Sequence, residues 1–414
     1  MALGLMGQME EPVAPEIIFL LRFVRLGHEA GYSTAELEDR VLAVAGSLGL
    51  EKVQISVTPT LVELSFGPLS RQRTYSIRVR PAALDLGTMA RLDELVQEVL
   101  DKSLGAEGAL AVLEEIRARP LVRPWPVVLG AYALAGAALT PVVGGGWRES
   151  VAAAVVGLIV GVIVLAFRMT SRADAIVAPL AGIVASLCAA ALAHLGMKVS
   201  PDVVVLAALV TFLPGMTLTV GVRELSTEHL QSGVANTASA LAQLLGLVFG
   251  VAIGRSIALA WFGPVHEVAP HPALAFPQLL AAVAAGLAFT VTLRARSRDA
   301  LLLCSAAVLA LVCNRVGASL LGERAGVFGA AFAIGATGSL VGSFLRRSPL
   351  VFLVPGVLML VPGSDGFNSV LNLLTHQTVT GVATAFDTFV TAISIAYGLM
   401  LASILLPGHV ESSR

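Results

Sequence analysis

Residues Ser150–Phe167 read SVAAAVVGLIVGVIVLAF, a stretch with no charge and no polar side chain after the first. As a helix rising 1.5 Å per residue it would be about 27 Å long, close to the roughly 30 Å of hydrocarbon in a bilayer. Similar apolar blocks follow on both sides, separated by short joints that hold arginine. They predict spans near 125–143, 150–167, 175–195, 202–222 and 233–254. A second set is expected near 275–293, 300–315, 323–345, 349–363 and 382–406, with the seventh and ninth short. About ten transmembrane helices are therefore expected.

The composition agrees. Of 414 residues, 56% are hydrophobic and 13% charged, with mean hydropathy +0.84. A soluble domain averages roughly 25% charged and 45–50% apolar. The net charge of −1 points to no nucleic-acid partner. Charge is also segregated: residues 1–120 hold 12 of the 27 Lys/Arg and 17 of the 28 Asp/Glu. A boundary near Pro120 follows, with a soluble domain over 1–120 ahead of the membrane part.

Within that domain, Pro15–His28 reads as a helix with Ile17, Leu20, Leu21 and Val24 on one face. Ser33 stands three residues before Glu36, a capping-box spacing that opens a helix to Leu48. Strands are expected at Lys52–Thr58, Leu61–Phe66 and Arg73–Arg80, with turns at Pro59-Thr60 and Gly67-Pro68. Two helices, Thr88–Leu104 and Glu107–Arg119, complete a small α/β domain. It carries no Gly-rich phosphate loop and no G-x-S-x-G elbow. His28-Glu29 lacks a second His four residues after the first, so no hydrolase or metalloprotease signature is read. Cys188, Cys304 and Cys313 are too scattered for a disulfide or a metal site. No cofactor and no metal are expected.

Met1–Val13 lacks a basic stretch followed by an apolar one, so no cleavable signal is read and the N-terminal domain is expected in the cytosol. Joints on that side then carry Arg117, Arg119, Arg123, Arg168, Arg172, Arg223, Arg294, Arg296, Arg298, Arg346, Arg347 and Arg414. The opposite joints carry Arg148, Lys198, Arg315 and Arg324, with Arg255 ending the fifth span. This asymmetry satisfies the positive-inside rule with both termini cytosolic and the chain in the inner cell membrane.

The two membrane halves, 121–262 and 263–414, resemble each other. Phe212-Leu213-Pro214-Gly215 parallels Leu353-Val354-Pro355-Gly356, and Ser232-Gly233-Val234-Ala235 parallels Thr380-Gly381-Val382-Ala383. A carboxylate stands nine residues after each first glycine, Glu224 and Asp365. Five spans is an odd number, so the second copy would enter the membrane upside down. Inverted repeats are an architecture of alternating-access transporters, with the substrate site between the halves. Pro214-Gly215 and Pro355-Gly356 would break their spans and free carbonyls to line a cavity; a plain structural kink is the other reading. Gly157 with Gly161, Gly246 with Gly250 and Gly254, and Gly338 with Gly342 are spacings for close helix packing.

These residues resemble a known family. Gly31-Tyr-Ser-Thr-Ala-Glu-Leu-Glu-Asp-Arg-Val41 and Val57-Thr-Pro-Thr60 are similar to the N-terminal segment of the bacterial threonine/serine exporter family. Leu213-Pro-Gly215, Arg223-Glu224 and Ser232-Gly233 resemble its first membrane half, and Ser348-Pro349 through Leu360-Val-Pro-Gly363 its second. The resemblance implies export of threonine, serine or similar small metabolites driven by the proton-motive force. Related two-protein systems point to a dicarboxylate such as succinate as the alternative cargo. A membrane-bound hydrolase using the N-terminal domain is the alternative from another class. Glu224 departs from the Asp expected after the Arg, which keeps the charge and lengthens the side chain.

Candidate transport residues follow from the cost of charge in a span, about 2.5–3.5 kcal/mol on insertion scales. Asp387, inside the tenth span, is the candidate for proton coupling; a carboxyl merely held by Thr388 and Thr391 is the alternative. Asn236 and Gln243, seven apart and so on one helix face, could bind an amino acid's charged ends or join helices. Pro214, Gly215, Pro355 and Gly356 are further substrate-site candidates. Arg223, Glu224 and Asp365 are candidate gates, or solvated loop charges. Asp174 beside Arg172 reads as an interfacial helix-end charge, and His194 as interfacial. Asn368, Asn372, His376 and Gln377 mark a polar face ahead of the last span. The partners expected are the substrate, protons, the lipid bilayer and, as one option, further copies in a homo-oligomer.

Overall fold

The structure is a computed structural model describing residues 13–79, 84–167, 174–264, 275–345, 348–361 and 363–406. Arg168, Arg172, Arg346, Arg347 and Arg414 of the charge argument, Arg80 at the end of the third expected strand, and the N-terminal segment read for a signal lie outside the described residues, as does the side chain of Asp174. The chain forms two compact units. One holds residues 13–79 and Thr88–Pro120; the other holds Leu84–Gly87 and the described residues from Leu121 on.

In the first unit, α1 (Pro15–Ala30) and α2 (Thr34–Ser47) precede β1 (Gln54–Val57), β2 (Leu61–Phe66) and β3 (Arg73–Arg78), followed by α3 (Leu86–Leu100) and α4 (Ala106–Ala118). The strands form an antiparallel meander, with Gln54 opposite Ser65 and Leu61 opposite Arg78. Val62, Leu64 and Phe66 point inward from β2 while Leu61 and Glu63 face out, the period-2 alternation of a half-buried sheet. Gly31 ends α1 with φ +102°, a conformation that glycine adopts without a Cβ penalty. The Ser33 amide donates to Glu36 Oε2 across 3.1 Å, fixing the start of α2.

A polar knot sits among these helices. Tyr32 donates its hydroxyl to Asp93 Oδ1 at 2.6 Å, and Arg40 Nε donates to the same oxygen at 2.6 Å. The Arg40 guanidinium lies 4.3 Å from the Tyr32 ring centroid. Burial and the Asp93 carboxylate push the Tyr32 hydroxyl well above its ordinary value. Tyr32 and Arg40 both belong to the stretch that carries the N-terminal family resemblance.

The second unit contains α5 (Trp125–Leu139), α6 (Trp147–Phe167), α7 (Asp174–His194), α8 (Pro201–Ala208), α9 (Gly215–Ser226) and α10 (Leu230–Phe262). It continues with α11 (Ala275–Thr292), α12 (Ala300–Leu321), α13 (Glu323–Leu345), α14 (Leu350–Leu360), α15 (Gly363–Leu374) and α16 (Thr378–Leu405). Among the described residues, seven helical stretches are long and apolar enough to cross a membrane, or eight if the bent α8–α9 pair counts as one. Two further apolar helices, α5 and the Gln278–Thr292 part of α11, are shorter. The expected count of ten thus resolves into seven or eight full-length candidates and two short ones.

Individual spans also differ. α12 runs to Leu321 and not to residue 315, because Arg315 sits on its exposed surface and does not end it. The ninth span continues through α15, so Asn368 and Asn372 belong to that span, with His376 and Gln377 in the joint after it.

The two halves repeat one order of elements: three helices, a helix pair in place of a fourth, and a long helix. α9 and α15 each have 12 residues and start 148 residues apart, as do α10 and α16. A Cβ on Gly233 would stand 2.7 Å from the Leu225 amide nitrogen, and one on Gly381 would stand 3.0 Å from that of Leu373. Both glycines are thus the points where a long helix passes the backbone of the helix before it. Gly250 lies against Pro179, and Gly398, 148 residues on, lies against the Phe328 carbonyl. Such approaches maximise dispersion contact where lipid supplies no hydrophobic drive between helices.

This register corrects the sequence alignment of the halves. Pro355 and Gly356 lie inside the continuous α14, and Gly356 packs on the Ile334 side chain. The interruption falls after Leu360, so Gly363, not Gly356, corresponds to Gly215. Glu224 and Asp365 are accordingly not equivalent: Glu224 is the tenth residue of α9 and Asp365 the third of α15.

Candidate functional site at the crossing of two broken helices

α8 and α9 meet at a 50° bend. A single turn of tighter helix, Val210–Phe212, ends α8, and Pro214, which has no amide to donate, precedes the first residue of α9. In the second half α14 ends at Leu360 and α15 starts at Gly363. The two interruptions touch. A Cβ on Gly215 would overlap Val361 and stand 3.4 Å from the Gly363 Cα, and one on Gly363 would stand 2.9 Å from Leu213 Cβ. Both glycines are buried.

Each half also sends its second half-helix across to the other. α9 packs on α10 of its own half and on α16, where Val222 and Leu218 meet Ala392, Ala396 and Ile393. α15 packs on α16 and reaches α10, with Phe367 and Val370 buried in the core of the first half. The first turns of α9 and α15 therefore begin at one place in the centre of the unit. Their leading N–H groups have no partner within the helix, and the helix dipole adds partial positive charge there.

The long helices supply a polar stripe beside each break. On α10 it is Ser232, Asn236, Ser239 and Gln243; on α16, again 148 residues later, Thr380, Thr384, Asp387 and Thr391. Spacings of four, three and four keep each set on one helix face. Asn236 Nδ2 donates to Glu224 Oε2 at 2.6 Å, and the Glu224 side chain is buried. Gln243 Nε2 donates to the Phe212 carbonyl at 3.5 Å, an oxygen beside the break. Asp387 is not held by its neighbouring hydroxyls: Thr388 Oγ1 donates to the Thr384 carbonyl at 2.7 Å. Arg324, at the start of α13, donates instead to Asp387 Oδ1 at 2.9 Å.

Of the sequence candidates, the structure brings Pro214, Gly215 and Gln243 together at the first break, and Asn236 and Glu224 together two turns away. Pro355 and Gly356 lie on the α14 side of the second break, and Arg223 is half-buried late in α9. Asp365, in the first turn of α15, has Glu323 and Asp387 as its electrostatic neighbours. Sequence reasoning missed two residues. Arg324 was read only as a joint charge, although its place after Glu323 at a helix start was visible. Glu149, which no sequence motif singled out, is buried; its carboxylate accepts from the Gly146 amide at 3.1 Å and the Ser200 amide at 3.3 Å, tying two loops. Among the described residues, no three His, Cys, Asp or Glu side chains gather to hold a metal ion.

Residues 19–258 match the family model of the threonine/serine exporters, ThrE, and residues 275–405 match a second model described as threonine/serine exporter, ThrE. The chain belongs to the threonine/serine exporter family. It is thus a multi-pass membrane protein of a family of amino-acid exporters, and the resemblance seen in Gly31–Val41 and in the two Pro-Gly regions is borne out. A threonine/serine exporter of Corynebacterium glutamicum is 24% identical over 90% of this chain and 78% of its own length. Pheromone-regulated membrane protein 10 of Saccharomyces cerevisiae is 26% identical over 91% of this chain and 50% of its own. An uncharacterized Schizosaccharomyces pombe protein is 25% identical over 67% of this chain and 35% of its own. The chain thus spans half or less of those two fungal relatives. No solved structure matches it.

Proposed function

We propose that the protein is a secondary transporter that exports threonine and serine from the cytosol in exchange for protons. In this reading it lies in the inner membrane with both termini cytosolic. Residues 1–120 form a cytosolic domain, and 121–262 and 263–414 are inverted five-helix repeats. The observation that carries the reading is the contact of two helix breaks, Leu213–Gly215 and Val361–Gly363, flanked by two matching polar stripes. Half-helix N-termini at a repeat interface suit a substrate carboxylate, while unwound carbonyls suit a cation. In this reading the substrate binds beside Gln243 and the Phe212 carbonyl, with Asn236 and Glu224 on the α10 side and Asp365 and Asp387 on the α16 side. Asp387 carries the coupling proton.

The energetics are adequate. Threonine and serine are net neutral, so exchange for one proton moves one charge, worth about 2.3 kcal/mol per 100 mV and enough for a gradient of roughly fiftyfold. A dicarboxylate would need fixed cations, and Arg324 on the α16 side is engaged by Asp387.

The test is uptake of labelled threonine and serine into inverted, energised vesicles holding the purified protein. Accumulation abolished by a protonophore is expected. Transport of labelled succinate in place of either amino acid would overturn the substrate.

A further inference from the structure

We infer that Arg324 is an internal counter-cation of the transport cycle, one that pairs with Asp387 while the proton is absent and yields when it arrives. The inference rests on the proton-antiport reading above and assigns a positioning residue to it. Arg324 is the second residue of α13, and its Nη2 lies 2.9 Å from Asp387 Oδ1. Asp387 is the tenth residue of α16, about 14 Å along the axis from the first. An ionised carboxyl at that depth in an apolar helix needs a partner or water.

Three features make the pair exchangeable. First, the two side chains are 66% and 59% exposed, so packing locks neither of them in place. Second, the charges around it leave room for one more positive. Glu323 precedes Arg324 on α13, and Asp365 stands on α15; both Glu323 and Asp387 act on Asp365. α9, the other helix packed on α16, bears its charges, Arg223 and Glu224, in its last turns, and Asn236 already donates to Glu224. When a proton neutralises Asp387, the guanidinium loses its partner on α16 and is left beside Glu323, its neighbour in the chain. Third, at this position of the two long helices the ionisable group stands in the second half. The residue matching Asp387 in α10 is Ser239, which does not ionise, so the pair with a cation at this position belongs to α16.

The proton balance is simple. A proton from outside adds to the Asp387 carboxylate and its bond to Arg324 breaks. On the cytosolic side the carboxyl releases that proton and the bond re-forms. Arg324 therefore drives the release step.

The test measures proton-driven threonine transport in proteoliposomes as a function of cytosolic-side pH, the unsubstituted protein first. Arg324→Gln removes the charge that favours the ionised carboxylate, so the proton is retained to higher pH. Transport at neutral pH should slow roughly tenfold or more, with its pH profile displaced to the alkaline side. Arg324→Lys should restore the profile of the unsubstituted protein. Threonine–threonine exchange, which moves no net proton, reports folding; if Arg324→Gln fails there, Arg324→Met takes its place with the same shift expected. A charge-free variant whose pH profile superimposes on the unsubstituted one overturns the inference. Failure of the unsubstituted protein to couple threonine or serine to protons overturns the transport reading beneath it, a separate result.

Discussion

Asn236 Nδ2 lies 2.6 Å from Glu224 Oε2, joining the start of α10 to the end of α9 through a carboxylate that is 1% exposed. This bond closes the hairpin that carries the first helix break. Asn236→Leu removes a hydrogen bond to a buried charged group and should lower stability by about 1.5–3 kcal/mol. Glu224→Gln, which leaves the partners neutral, should cost less. Thermal unfolding in detergent separates the two.

The crossing of the breaks tolerates no side chain at Gly215, since a Cβ there overlaps Val361. Gly215→Val should cut export at least tenfold and destabilise by about 1–3 kcal/mol through overpacking. Gly144, whose Cβ would meet open space but whose φ is +89°, is the control: Gly144→Asn, an exchange that the left-handed region accepts, should leave export near normal. Vesicle uptake with a melting curve reads both.

Gly233 and Gly381 make the same approach to the preceding helix in each half. Gly233→Ala and Gly381→Ala should therefore lower the melting temperature by similar amounts. Strongly unequal losses would argue against equivalent roles for the two hairpins.

The N-terminal knot predicts an alkaline sensitivity. Burial, then Asp93, holds the Tyr32 hydroxyl protonated beyond its ordinary value of 10.0. A group whose folded-state value is raised contributes stability that is fully present below the unfolded value and is lost as pH rises through the folded one. Stability should thus decline above about pH 10, and Tyr32→Phe should blunt that decline. Asp93→Asn strands the Arg40 guanidinium, whose side chain is 10% exposed, and should cost about 3–5 kcal/mol. Chemical denaturation of the full chain checks both.

Asp387→Asn, which cannot ionise, should abolish the dependence of threonine accumulation on the proton gradient. Retention of proton-driven accumulation would remove Asp387 from the coupling step. Flux assays at two imposed pH gradients distinguish these results.

Much of this was legible before any coordinates. Apolar runs such as Ser150–Phe167 announce spans because lipid demands a continuous apolar surface. The turns Pro59-Thr60 and Gly67-Pro68 announce a three-stranded meander because those residues favour turns. Ser33 with Glu36 marked the start of α2, and Pro214-Gly215 marked a break. The equivalent break in the second half was misplaced by seven residues, because Pro355-Gly356 and Pro362-Gly363 offer the same local signal. A proline in the middle of a helix costs one hydrogen bond, and burial of Phe352, Val354 and Val357 on either side of Pro355 keeps α14 intact.

The sequence by itself determined that this chain lives in a bilayer, that it carries a small α/β domain ahead of its spans, and which family it resembles. Each of these rests on local pattern: hydropathy, alternation and short motifs. Tertiary structure alone decided that the two breaks touch, that α9 and α15 cross between halves, that Asn236 meets Glu224, and that Arg324 meets Asp387. Those pairs are 12 and 63 residues apart in the chain. What joins them is helix packing, in which a missing Cβ at Gly233 or Gly381 sets how closely two backbones approach and so which side chains come within reach.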